Sequence, residues 1–85
     1  MSGHNNISQQ IKSVIAAECG IKKKKLNNKT GFMSNKSISY FNVIDVLYTL
    51  EHKFHVYLPE SDLVKYDTVG SLTQSIVNQL KARSK

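Results

Sequence analysis

The chain has 85 residues, twelve Lys and Arg against six Asp and Glu for a formal net charge of +6, and one cysteine. That length makes one domain with one small core, with no room for a deep enclosed active site beside a separate scaffold. A lone cysteine excludes an intramolecular disulfide framework and a cysteine-based zinc site, and no apolar run approaches the length that spans a bilayer.

In chain order, residues 1–5 read as a disordered N-terminus. The polar start lacks the apolar block of a signal peptide, so the expected location is cytoplasmic. Asn6 is placed to cap a helix, with Gln9 three residues later as in a capping box. Ile7, Ile11, Val14, Ile15 and Cys19 form an apolar stripe. Gly20 stands where left-handed geometry ends a helix, which puts the first helix at about Ile7 to Cys19. A long polar connection follows, from Gly20 to about Ser39. It carries four consecutive lysines, Lys22 to Lys25, and the cluster Asn27-Asn28-Lys29. Connections of this length are uncommon unless functional or tied down, and Ile21, Leu26, Phe32 and Ile38 are the apolar pins available. Ser37 or Ser39 can cap the next helix.

The stretch SYFNVIDVLYTLEHKFHVYLP, from Ser39 to Pro59, is the centre of the chain. Phe41, Ile44, Leu47 and Tyr48 recur at three- and four-residue steps, and Val43, Val46, Leu50 and Phe54 continue round the cylinder. A helix apolar over most of its circumference is either enclosed by its own domain or partly reserved for a partner. Pro59 cannot continue it, and His55 to Leu58 read as an extended connector. Residues 60–65 allow one or two helical turns, with Leu63 and Val64 directed inward. Thr68 caps a last helix whose stripe is Val69, Leu72, Ile76, Val77 and Leu80. Lys81, Arg83 and Lys85 make residues 81–85 a basic, frayed tail. The expectation is an all-α fold: a small four-helix bundle over residues 6–80, with three main helices, one short helix and a long first loop.

Little here reads as catalytic machinery. His52 and His55 are three apart, but two histidines without a third ligand make a poor metal site, and His4 lies in the loose end, so no metal is expected. Cys19 sits in an apolar stripe, where a free cysteine packs in the core. No glycine-rich phosphate loop, carboxylate pair or nucleophile–base set is readable, and the chain reads as a non-enzyme. The lysine run has two readings: a solvated loop, or a patch for an anionic partner such as nucleic acid, a membrane surface or an acidic protein. No aromatic residues interleave with Lys22 to Lys25 as a single-strand stacking platform requires.

The order of elements and five motifs in register resemble the acyl carrier protein family. Gly20-Ile21 closes the first helix. Phe32 stands where the family anchors its loop. Leu50-Glu51-x-x-Phe54 matches the family's Leu-Glu-x-x-Phe. Leu58-Pro59-Glu60 matches its Ile-Pro-Asp or Ile-Pro-Glu turn, and Asp67-Thr68-Val69 its entry to the last helix. The resemblance runs without a gap from about Ile7 to Leu80. It implies the four-helix carrier bundle, monomeric, with acyl-chain or lipid-processing enzymes of fatty-acid, polyketide or lipid metabolism as partners.

The family's Asp-Ser-Leu, whose serine takes the 4'-phosphopantetheine arm, falls on Ser39-Tyr40-Phe41. Tyr40 is then the attachment-equivalent position, and a phenol there is not expected to be modified. Ser39, or less readily Ser37, is the alternative carrier, although the ordinary role of Ser39 is a helix cap. Family members are typically acidic, whereas this chain is basic. Phe41, Ile44, Asp45, Tyr48 and Glu51 fall where the family meets its partners. Phe41, Ile44 and Tyr48 can either dock a partner or fold inward to fill the space of an acyl chain. Three functions follow. The first is a binding or scaffold module without the standard arm, needing no cofactor. The second is a carrier with 4'-phosphopantetheine on Ser39. The third is a basic adaptor acting through Lys22 to Lys25.

Overall fold

The computed structural model describes residues 3–31 and 38–83. Its frame is three helices, α1 (Gly3–Cys19), α2 (Tyr40–Phe54) and α3 (Val69–Arg83), with short 3-10 segments at Lys23–Lys25 and Glu60–Tyr66. This is the small all-α bundle expected from the sequence. Helix α1 packs against both α2 and α3, and α3 packs against the Glu60–Tyr66 segment. Ile11 and Ile15 of α1, Val46 and Leu50 of α2, and Val69, Leu72 and Ile76 of α3 are fully enclosed at the centre. These are stripe positions from all three helices, so the apolar periodicity is what brings the helices together.

The ends of the helices show how local chemistry sets their bounds. Gly20 has φ +67°, and the Ile21 N–H donates to the Ala16 carbonyl at 3.2 Å, a left-handed C-terminal closure of the Schellman type. Helix α2 closes in the same way, with His55 at φ 56° in the left-handed region and the Val56 N–H on the Glu51 carbonyl at 3.2 Å. At the other end of α1 the expectation is corrected. The helix is already present at Gly3, so Asn6 lies inside it instead of capping it.

The first loop is held by two kinds of contact. Leu26 and Ile38 are buried and Ile21 packs against the core, while Phe32 and Ser37 lie outside the described residues. The second kind is backbone pairing. The Val69 N–H donates to the Thr30 carbonyl and the Gly70 N–H to the Asn28 carbonyl, both at 2.9 Å. Two N–H groups at the start of α3, which have no partner within a helix, are thereby satisfied by the loop. Thr68 caps the same turn, accepting from the Ser71 N–H at 3.0 Å.

Two further expectations change. Within the Glu60–Tyr66 segment Leu63 is buried, but Val64 is 79 % exposed. The inward partner of Leu63 is Tyr66, three residues on, because a 3-10 turn brings i and i+3 onto one side. The C-terminal end is also more ordered than a frayed tail as far as Arg83, which lies within α3. Its guanidinium donates to the carbonyls of His55 at 2.6 Å and Phe54 at 2.8 Å, capping the C-terminus of α2. Lys85 lies outside the described residues.

Candidate functional site

Helix α2 has two faces. At 100° per residue, Val43, Val46, Leu47 and Leu50 fall within an arc of roughly 100°, and all four are buried. Phe41, Asp45, Tyr48 and His52 cluster about the opposite direction, and all four are exposed. Phe41 is 78 % exposed, Tyr48 64 % and Tyr40 46 %. The aromatic side chains therefore project outward and do not fill the interior. Ile44 lies between the faces, half-buried against the core.

The rings of this outer face are ordered by one another. Tyr40 and Phe41 meet edge to face, centroids 6.1 Å apart. Tyr48 and His52 lie 4.8 Å apart. His52 Nδ1 is 3.0 Å from the Tyr48 carbonyl oxygen, and since a carbonyl only accepts, the ring proton sits on Nδ1. This bond holds the ring along α2 and leaves Nε2 with its lone pair. Among the described residues no three His, Cys, Asp or Glu side chains come together as a metal site.

Ser39 is the N-cap of α2. Its hydroxyl accepts from the Asn42 N–H at 3.2 Å and donates to Asn42 Oδ1 at 2.9 Å. The Asn42 side chain accepts in turn from the Ser39 N–H at 3.3 Å. This reciprocal arrangement is a capping box in which Asn takes the place of Glu or Gln. Asn42 also reaches across to α1, donating from Nδ2 to the Glu18 carbonyl at 3.2 Å. The Glu18 carboxylate accepts from the Thr49 hydroxyl at 2.9 Å. Asn42, Thr49 and Glu18 thus tie α2 to α1. Sequence reasoning passed over all three, although Ser39 followed three residues later by Asn42 carries a capping-box spacing.

Of the two acidic residues on this helix, Asp45 is exposed and Glu51 is half-buried. Glu51 Oε2 accepts the Leu58 N–H at 2.7 Å, which folds the connector back beneath α2 and buries Leu58. The spacing of Leu50-Glu51-x-x-Phe54 and Leu58-Pro59 has this internal bond as its physical content. The Lys22 to Lys25 side chains are all exposed. Cys19 is half-buried against the core, and burial, then Glu18, then Asp45 push its thiol pKa above the usual value. That suits packing and lowers the thiolate fraction a nucleophile needs.

No family model matches the chain. It is similar to an acyl carrier protein of Buchnera aphidicola subsp. Schizaphis graminum, with 26 % identity over 77 residues that cover 91 % of this chain and 98 % of the relative. The similarity spans nearly the whole of both chains, and together with the helical bundle it supports an acyl-carrier-like relationship. No helix among the described residues is long and apolar enough to cross a membrane.

Proposed function

We propose that this acyl-carrier-like domain does not carry a phosphopantetheine arm at the standard position and works as a protein-binding module through the outer face of α2. The observation that carries this reading is the start of that helix. Tyr40 is its first residue, directly after the Ser39 cap, and in the register of the acyl-carrier resemblance it takes the place of the attachment serine.

The residues present do not fit the arm. Transfer requires a small primary alcohol in line with the pyrophosphate of coenzyme A. A phenol places its oxygen several bonds farther from the backbone, and misplacement by about an ångström costs on the order of a hundredfold in rate. Ser39 has the right chemistry, but it is the extended N-cap of α2 and its hydroxyl is engaged in the capping box with Asn42.

Docking is the alternative use of the same face. Phe41 and Tyr48 are aromatic, exposed and within about 20° of each other in azimuth, and aromatic anchors dominate the energetics of interface centres. Ile44 and Asp45 flank them, while Glu51 acts from below by holding the connector. The similarity to an acyl carrier protein supports an acyl-processing protein as the class of partner. Intact-mass measurement tests the reading: the protein is incubated with coenzyme A and a promiscuous phosphopantetheinyl transferase, beside a standard carrier and beside protein isolated from its own host. Unchanged mass in both samples is expected. An added arm mapped to Ser39 would replace the reading with an unorthodox carrier.

A further inference from the structure

We propose that Lys12 and Lys22 to Lys25 form a second surface that binds clustered phosphates, borne by a bilayer of acidic phospholipid. The inference is independent of the reading of α2. It begins with a 3-10 turn. The Lys25 N–H donates to the Lys22 carbonyl at 2.9 Å and the Leu26 N–H to the Lys23 carbonyl at 3.0 Å. Buried Leu26 and half-buried Ile21 pin the turn on either side. Four consecutive charges are therefore presented on a fixed backbone, with their side chains in water.

The turn divides them. Residues i and i+3 eclipse in this geometry, so Lys22 and Lys25 line one shallow cleft of about 460 Å³, with Cys19 and Thr30. Lys23 and Lys24 line another of about 470 Å³, with Lys12 and Gln9 of α1. No acidic residue lines either cleft. None of the five lysines takes part in an ion pair among the described residues. With no carboxylate in direct contact with them, the lysines remain available to an external anion.

The form of the cluster argues for lipid over nucleic acid. Four residues at about 2 Å rise occupy a compact spot, not a track. A nucleic acid holds its phosphates at fixed intervals, and its recognition draws on stacking rings or bidentate Arg, which neither cleft contains. Lipid headgroups diffuse laterally and can gather beneath a compact patch. Lysine is a point charge that needs no fixed acceptor geometry. Near an acidic leaflet each lysine strengthens binding about fivefold.

Vesicle co-sedimentation tests this with the full chain. Vesicles of phosphatidylcholine with about one-third phosphatidylserine are compared with phosphatidylcholine alone, at about 0.1 M and about 0.5 M salt. Binding is expected to the acidic vesicles only and to collapse at the higher salt. Replacing Lys22 to Lys25 together by Gln is expected to weaken it more than a hundredfold. Lys12→Gln, on a different element, is expected to weaken it about fivefold, whereas Lys65→Gln, a charge-matched control outside both clefts, changes it less than twofold. Equal binding to neutral vesicles, or equal loss with Lys65→Gln, would overturn the site. A short RNA duplex or inorganic tripolyphosphate that binds in preference to acidic vesicles at equal salt would overturn the assignment to a membrane.

Discussion

The side chain of Gln79 clasps the backbone of Tyr57 at both ends: Gln79 Oε1 accepts the Tyr57 N–H at 2.9 Å and Gln79 Nε2 donates to the Tyr57 carbonyl at 2.7 Å. One amide of α3 thus stands in for the neighbouring strand that the extended connector lacks. Gln79→Glu keeps the acceptor and loses the donor, and Gln79→Ala loses both. Each bond contributes about 1 kcal/mol, so urea unfolding should place Gln79→Glu between wild type and Gln79→Ala, the latter about 2 kcal/mol below wild type. Equal losses would mean that the contact with the Tyr57 N–H contributes nothing.

The connector is braced again at the end of α2, where a histidine occupies a conformation that favours glycine. His55 has φ 56°, and a left-handed backbone costs a residue with a Cβ about 1–2 kcal/mol. His55→Gly is therefore expected to raise stability by about 1 kcal/mol, once the entropy of the glycine in the unfolded chain is set against the relief. A thermal or urea midpoint that falls would show that the histidine side chain contributes more than its backbone costs.

Gly70 tests the docking of the first loop. A Cβ there would meet the Asn28 carbonyl oxygen at 2.9 Å and Asn28 Cβ at 3.3 Å. Inside a helix, Gly→Ala alone gains about 1 kcal/mol, but a forced shift of packed backbone costs about 1–3 kcal/mol. The clash falls on the same carbonyl that satisfies the Gly70 N–H, so the cost should win. Gly70→Ala is expected to lose about 1 kcal/mol net and to speed amide exchange at Gly70. A stabilised variant would mean the loop is not held against α3.

Much of this frame was legible as period and punctuation. The stripes of Ile11 and Ile15, Val46 and Leu50, and Leu72 and Ile76 follow from helical spacing, and Gly20, Ser39 and Thr68 announce ends that local chemistry sets. What was not legible depends on residues brought together from far apart. Nothing near Arg83 in sequence says that it caps a helix ending twenty-nine residues earlier, and a basic C-terminus reads naturally as fraying. The expectation that Val64 points inward beside Leu63 fails because the segment is 3-10, whose period of three selects Leu63 and Tyr66. On α2 the sequence left the outer aromatics open between docking and filling, because an apolar helix has no polar face to orient it. Burial of Val43, Val46, Leu47 and Leu50 on one side turns Phe41 and Tyr48 outward.

Buried Tyr66 predicts a loss of stability in alkali. Burial first, then Asp62, Glu51 and Tyr57, raise its pKa above the ordinary 10.0. Below pH 10 the phenol is neutral in both states and this contribution is fully present. As pH rises past 10 the unfolded chain releases its proton while the folded one retains it, so the unfolded state gains and stability falls until the folded value is passed. Cys19, raised from 9.0 by burial, Glu18 and Asp45, acts in the same sense from a lower pH. Unfolding midpoints measured from pH 8 to 11 should decline. Tyr66→Phe should flatten the part above 10 and Cys19→Ala the part between 9 and 10. A wild-type profile with no slope would contradict both assignments.

Two substitutions at the start of α2 separate the proposed loss of the arm from the change of charge. Ser39→Asp keeps a good N-cap, and Tyr40→Ser places a primary alcohol at the first residue of the helix. The double variant should therefore fold with a stability within about 1 kcal/mol of wild type and accept phosphopantetheine, which wild type is expected not to take. The protein has a formal net charge of +6, whereas the enzymes that load acyl carriers grip acidic helices with basic residues. Like-charge repulsion should make loading of the double variant slow at low salt and faster as salt screens it, the reverse of an acidic carrier. A double variant that folds, docks and still takes no arm at any salt would mean that the outer face, with Phe41 and Tyr48 projecting from it, excludes the transferase by shape.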